Sequence, residues 1–389
     1  MEPDTNMPRI PLFNLGFRPF YLLAGILAAV SIPVWIAQFL GAWPTLGYLS
    51  GRSWHAHELV FGVAIAVITG FLFTAARNWT GEPTPTGIFL AALSALWVAG
   101  RVLLLTGPGW LAAAVDFAFV PVVAFALWLP LRRTRNRNQF FVPLLLLFAA
   151  ANLCFHLAHL GLLAMSELDA VRFALYLVVV IVTIMGGRVI PSFTANAIPT
   201  ARIRSYPLLD RLAIAGGALA LMAVSLGALS TLSGILCAIA AALHLLRLWS
   251  WDPLSTRHNP ILWILHLSYA WIPLALILMS LASFGLAASA ILADHAFAAG
   301  AIGGMILGMM TRTARGHTGR PLVVGPAEIS AYVLVHLAAT ARVLVPFAWP
   351  ASYPTMILVS SALWAMAFIV FVVTYTPILA RARLDGKPG

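Results

Sequence analysis

Charge is what this sequence lacks most. Only 9% of its 389 residues are Asp, Glu, Lys or Arg, while 61% are hydrophobic. A soluble domain carries about 25% charged residues, so a water-soluble globule is excluded. Cysteine is as scarce: Cys154 and Cys237 each stand alone in an apolar stretch. That excludes a disulfide framework, a Cys-x-x-Cys metal site and a Cys-x-x-Cys-His haem attachment. No basic segment leading into a short apolar run opens the chain, so no signal peptide is expected. No Ser- or Gly-rich linker or charge run sets off a soluble domain.

What fills the chain instead is a succession of apolar runs of about 20 residues, each long enough to cross a bilayer. They predict an all-α, polytopic membrane protein with about twelve transmembrane helices in a single integral membrane domain, residues 1–389. The spans are expected near 17–40, 54–77, 86–106, 109–130, 139–164, 170–196, 208–227, 229–250, 259–284, 288–312, 326–347 and 353–378. The net charge of +11 would suggest nucleic acid in a soluble protein, but here topology places the basic residues. All except Arg52, Arg101, Arg172, Arg188 and Arg342 fall at the termini, in the even-numbered loops, or at the span ends beside them. The positive-inside rule makes that face cytoplasmic, with both termini on it. No nucleic-acid partner is implied; the bilayer is the partner.

Sliding the chain on itself reveals a repeat. The segment from His57 to Pro83 lies over His295 to Pro321, with identities at His57/His295, Gly62/Gly300, Gly70/Gly308, Ala76/Ala314, Arg77/Arg315, Thr80/Thr318, Gly81/Gly319 and Pro83/Pro321. The shared R-x-x-T-G-x-P tail lies beyond the apolar stretch, where composition cannot explain it. The matched segments are the second and tenth spans, and Phe193-Thr194-Ala195 in the sixth echoes Phe73-Thr74-Ala75. Three four-helix units about an axis along the membrane normal are expected, a parallel type of repeat.

Of ten histidines, eight fall within spans, where an ionisable group is costly unless partnered. His55, His57, His156, His159 and His295 share the outer third; His244 and His266 form an inner level, and His336 lies near mid-membrane. Imidazoles at one depth, with few carboxylates and no thiolate cluster, suit haem iron or copper. The alternative is that each is a core histidine bonded to a backbone carbonyl. In a regular helix His55 and His57 point to nearly opposite sides, whereas His156 and His159 share a face. Glu58 could orient His55 as a supporting carboxylate, donate protons, or simply sit in interfacial water. Arg101 and Asp116 fall at one depth in adjacent spans, as a structural pair or with Arg101 neutralising a haem propionate. Arg188 either snorkels or binds an anionic group. Gly300, Gly304 and Gly308 have the spacing of close helix packing.

Several stretches together resemble a known family: IPLFNLGFRPF (10–20), WHAHE (54–58), ARNWTG (76–81), GGRVIPSFTANA (186–197), LHLSYAWIPL (265–274), AIGGMILGMMTR (301–312) and GHTGRP (316–321). The pattern is similar to the NnrS family, bacterial membrane proteins of the nitric oxide response. The resemblance implies haem b, held non-covalently, and copper. It also implies a place in the inner membrane, a link to denitrification and protection from nitrosative stress. A more distant topological similarity is to haem–copper oxidases and nitric oxide reductases, whose low-spin haem is held by the second and tenth spans. On that analogy His57 and His295 ligate one haem. Copper would then take His55 with His156 and His159, or His244 with His266.

Three functions follow. The first is an oxidoreductase that reduces nitric oxide to N2O, with quinol or another electron donor and a proton route through Glu58 and Tyr269. The second is a non-enzymatic haem and copper protein that binds nitric oxide or protects against it. The third is a secondary transporter, which the repeat in thirds rather than halves disfavours.

Overall fold

The computed structural model describes residues 10–43, 47–226, 231–286 and 289–387. Arg9, one of the basic residues assigned to the cytoplasmic face, lies outside them. So do the expected end of the seventh span at 227, the start of the eighth at 229 and that of the tenth at 288. Every regular element among the described residues is helical.

Twelve helices are long and apolar enough to cross a membrane: α1 (Phe17–Phe39), α2 (Gly51–Thr80), α3 (Gly87–Thr106), α4 (Gly109–Arg133), α5 (Arg137–His159), α6 (Glu167–Ala197), α7 (Pro207–Ser225), α8 (Thr231–Ser250), α9 (Pro260–Ser283), α10 (Ala290–His317), α11 (Pro326–Ala348) and α12 (Pro350–Ala380). The chain is a polytopic membrane protein. Helix ends follow local chemistry. Gly81 takes a left-handed φ of +71° and receives the last turn of α2, its N–H bonding Arg77 O, as C-terminal glycines do. The fifth span stops five residues short of its expected end. His159 closes α5 and Gly161, at φ +73°, turns the chain. His156 and His159 therefore occupy its last turn, at the very mouth of the bundle.

Helices adjacent in sequence pack as neighbours, and the seams between successive groups of four are all formed: α4 on α5, α8 on α9 and α12 on α1. The last seam closes the bundle into a ring. α6 touches both α2 and α10. In α2 the most apolar stretch is 83% buried, against 28% for α7, so α2 belongs to the interior and α7 to the lipid-facing rim.

The matched second and tenth spans share a backbone feature that the sequence match did not foretell. Each opens as a short α-helix ending at the aligned histidine, His57 or His295, and then widens into a π-helical stretch, Glu58–Ala64 in α2 and Ala296–Gly303 in α10. π-Helical turns are rare and concentrate at functional sites. The repeat glycines also make equivalent contacts. A Cβ on Gly62 or Gly70 of α2 would meet α1, at Leu27 and at Phe17 and Phe20. One on Gly300 or Gly308 of α10 would meet α9, at Trp271 and at Ile264 and Leu265. In both units the second helix lies glycine-first against the first helix of its unit.

Candidate metal centre at the arginine-poor end

His57, Glu58, Arg101, Asp116, Asn152 and His156 come together from α2, α3, α4 and α5 at the end of the bundle that carries few arginines. All six are buried. Asn152 and His156 are one turn apart on α5 and so share a face. α3 and α4 are joined by a short turn that sets Arg101 against Asp116. Their contact is direct, from Arg101 Nη2 to Asp116 Oδ1.

The other carboxylate oxygen, Asp116 Oδ2, is the focus of the cluster. Asn152 Nδ2 donates to it at 2.8 Å, His156 Nε2 lies 3.0 Å away and His57 Nε2 3.2 Å away. One ligand atom from each of His57, Asp116 and His156 lies within 4.8 Å of the other two. Two imidazoles and a carboxylate, converging with their Nε2 atoms on one oxygen, form a donor set that can hold a metal ion.

The surroundings fit an ion there. Metal-bound imidazoles usually give their second nitrogen to a carboxylate or another acceptor. His156 Nδ1 faces the Tyr48 hydroxyl at 3.2 Å. His57 Nδ1 has no hydrogen-bond partner among the described residues and lies 3.8 Å from Glu58 Oε1. Glu58 Oε2 is 3.4 Å from Arg101 Nη1, close enough to attract but poorly aligned, so both Glu58 oxygens are buried without a hydrogen bond. With both carboxylates ionised and both imidazoles neutral, Glu58, Asp116 and Arg101 leave one net negative charge in the interior. A cation, or a proton on one of these groups, is the natural counter-charge. Tyr48 lies in the loop before α2. Burial first, and then the Glu167 carboxylate, push its phenol up to about 12, so it keeps its proton at neutral pH.

The structure does not bring His57 and His295 together. His57 turns into the first four-helix unit, and the histidine within electrostatic range of His295 is His55. Their two-residue spacing separates them as a regular helix requires, since α2 is still α-helical through His57. His55 stacks on Trp35, ring centroids 4.4 Å apart, and its Nδ1 is buried without a hydrogen-bond partner. His295 Nδ1 bonds Ile291 O at 2.7 Å. Nδ1 is thus the donor, and Nε2 is left bare as a ligand atom. Arg342 of α11 lies within electrostatic range of both rings. Its Nη2 donates to the Tyr353 hydroxyl at 3.1 Å, while Nη1 has no hydrogen-bond partner among the described residues. Two imidazoles with nitrogens to spare, beside an incompletely engaged guanidinium, fit a haem with its propionates. Arg101 forms the expected structural pair with Asp116, while its Nε and Nη1 have no hydrogen-bond partner among the described residues.

The remaining candidates are held elsewhere. Both nitrogens of His159 face acceptors, Glu167 Oε2 at 3.2 Å and Tyr48 O at 3.1 Å, and Glu167 also receives Ser53 Oγ at 2.5 Å. This tie fastens α5 and α2 to α6. His244 and His266 do not converge: His244 Nδ1 bonds the Tyr269 hydroxyl at 2.7 Å, and His266 Nε2 meets Thr194 Oγ1 at 3.0 Å. Tyr269 also receives Arg247 Nη1 at 2.9 Å, which makes it part of a buried network joining α8 and α9. Glu58 adjoins His57 and Arg101 rather than supporting His55. Arg188 donates to Asn138 Oδ1 at 2.8 Å and lies over Phe140, fixing the start of α5. Trp271 Nε1 donates to His336 Nδ1 at 3.1 Å.

Sequence reasoning passed over Asn152, Tyr48 and Arg342. Asn152 could have been found from its four-residue spacing to His156. Tyr48 lies in a loop and carries no such signal. Arg342 is marked only as one of the few arginines away from the basic face.

A comparison with curated proteins returned no match. The model of the NnrS protein family matches residues 11–383, nearly the whole chain. That membership suggests a role in the nitric oxide response, and the chain belongs to the NnrS family.

Proposed function

We propose that this protein binds a redox metal and haem in the bacterial inner membrane and uses them to capture nitric oxide. Copper is assigned to His57, Asp116 and His156, and non-covalent haem b to His55 and His295, with Arg342 beside the propionates. The observation that carries the reading is the buried cluster itself: two Nε2 atoms and a carboxylate within 4.8 Å of one another. That donor set suits copper, zinc or iron, and copper is the one the family resemblance implies. With both termini cytoplasmic, as the arginine distribution supports, the cluster lies toward the periplasmic face.

A redox metal and a haem supply nitric oxide binding and one-electron chemistry. The chain's own residues do the rest. Asp116 neutralises the cation, Asn152 and Arg101 hold that carboxylate in place, and Tyr48 and Glu58 stand behind the two imidazoles. A second reading is turnover, 2 NO + 2 H+ + 2 e− → N2O + H2O, with electrons from a quinol. Glu58 favours it, because a buried carboxyl without a hydrogen bond beside the cluster can hold and release a proton.

The test is purification in detergent, followed by metal analysis, haem extraction and absorption spectra with and without nitric oxide. Bound copper and haem, with a spectrum that nitric oxide shifts, are expected. A protein free of both after expression with copper and haem precursors would sink the reading. N2O release over many cycles separates turnover from capture.

A further inference from the structure

At the arginine-rich end, far from the histidine cluster, a groove of about 710 Å3 opens between the start of α7 and the end of α8. It falls in the range of small-molecule sites, about 300–1,000 Å3. Its lining divides in two. Arg202, Arg204 and Tyr206 form one lip, and Leu212, Leu246 and Trp249 form an apolar wall. Alternate residues 202, 204 and 206 face the groove, the spacing of an extended chain. Two hydrogen bonds pin that stretch: Arg202 N–H donates to Asp252 Oδ2 at 2.8 Å and Arg204 N–H to Ser250 O at 2.9 Å.

The backbone of the lip is therefore fixed while its guanidinium groups stay exposed. Neither forms an ion pair among the described residues. Asp252, the acid in the lining, already accepts a backbone N–H. The apolar wall is open to the bilayer: Leu246 is 58% and Trp249 71% exposed, beside α7, whose most apolar stretch is only 28% buried. Trp249 and Tyr206 suit the depth where lipid headgroups begin. Two cations at headgroup height above an apolar, lipid-facing wall complement one kind of molecule, an anion with acyl chains. Basic pockets between transmembrane helices bind anionic headgroups in this way.

We infer that this groove is a specific site for an anionic phospholipid, with the phosphodiester held by Arg202 and Arg204 and an acyl chain laid along Leu212, Leu246 and Trp249. Each basic residue near a headgroup contributes about fivefold in affinity. The double variant Arg202→Gln/Arg204→Gln should therefore bind about 25-fold more weakly.

The experiment is native mass spectrometry of the full chain in mild detergent, titrated with phosphatidylglycerol, phosphatidylethanolamine or inorganic phosphate. The wild type should retain phosphatidylglycerol in preference to phosphatidylethanolamine. The double variant should lose that preference, whereas Arg132→Gln/Arg133→Gln, with the same charge change elsewhere on the basic face, should keep it. Leu212→Glu, on the apolar wall, should weaken retention with both arginines present. Equal retention by the double variant and the wild type would overturn the proposal. So would equal affinity for phosphatidylethanolamine, or displacement of the lipid by millimolar phosphate.

Discussion

Asp116→Asn separates a metal centre from a hydrogen-bonded knot. The asparagine has the same shape, so its carbonyl oxygen can still accept from His156 and Asn152, but the charge is gone and its NH2 faces Arg101 Nη2. If a cation is held there, it loses an anionic ligand. Two unit charges 4 Å apart attract by roughly 4 kcal/mol at an effective dielectric constant of 20, or about a thousandfold in affinity. The apo protein is affected as well. Arg101 loses its direct carboxylate partner, and breaking a buried pair costs about 3–5 kcal/mol, so thermal stability without metal should fall. Arg101→Met makes the contrast in metal binding: it breaks the same pair and leaves two buried carboxylates facing each other, at a cost of about 3–5 kcal/mol, but it keeps the anionic ligand. The assays are metal content by mass spectrometry, chelator competition for affinity, and thermal unfolding of metal-free protein in detergent. An Asp116→Asn protein that retains full metal with wild-type affinity would refute the argument, and the carboxylate would then be structural.

Four further outcomes are expected. Glu58→Gln removes the carboxylate behind His57 and should lower metal affinity by about 10- to 100-fold, the usual cost of losing such a partner, with chelator competition as the measure. His55→Ala and His295→Ala should each abolish one and the same haem signal, whereas His57→Ala should keep that signal and lose the metal; the reverse pattern in optical spectra and metal content would invert the assignment. Tyr48 has a folded pKa raised to about 12, above the roughly 10 of a free phenol. Its contribution to stability is complete below pH 10 and is lost as pH rises toward 12. Unfolding midpoints should fall over that window in the wild type and fall less in Tyr48→Phe. Cysteine at Arg133 should be labelled only from the cytoplasm and cysteine at Leu162 only from the periplasm, and labelling on the opposite sides would overturn the orientation.

The fold was legible because a bilayer permits few solutions. Spans of sufficient length must be helical to satisfy their own backbone, and twelve such runs stand out against a chain almost free of charge. The helix ends that differed were set by details that hydropathy averages away, such as the turn at Gly161 that ends α5 at His159. The site was legible as a set and illegible as pairs. The histidines of the arginine-poor end did gather there, but hydropathy and spacing cannot say which ring meets which. His55 and His57 lie on different faces of one helix, so the choice between them rests on rotation about the helix axis. That rotation is fixed by side chains from other spans: Asp116 and Asn152 on one side, Trp35 on the other.

The repeat gives His57 and His295 equivalent backbone settings although the structure does not bring their rings together. Both residues end an α-helical turn at the mouth of a π-helical stretch. Each lies within electrostatic range of an arginine on the third helix of its unit, Arg101 for His57 and Arg342 for His295. Equivalent positions, however, have different neighbours. α4 and α5 bring Asp116, Asn152 and His156 to His57. In the closed ring α12 and α1 take the corresponding places around α10, and neither contains an aspartate or a histidine. Arg342 meets no acid and donates to the Tyr353 hydroxyl, and His295 bonds Ile291 O of its own helix. One backbone device thus sits in two electrostatic settings. The acidic one suits a cation, and the one whose arginine meets no acid suits a ligand that carries carboxylates. Replacing Trp35 of α1, which stacks on His55 beside His295, with Asp should therefore move the tenth-span site toward the second in character. The change would weaken haem retention in an extraction assay and give that end of the bundle a second, weaker metal-binding step in a titration. Unaltered haem retention and a single metal-binding step would show that charge does not divide the two sites.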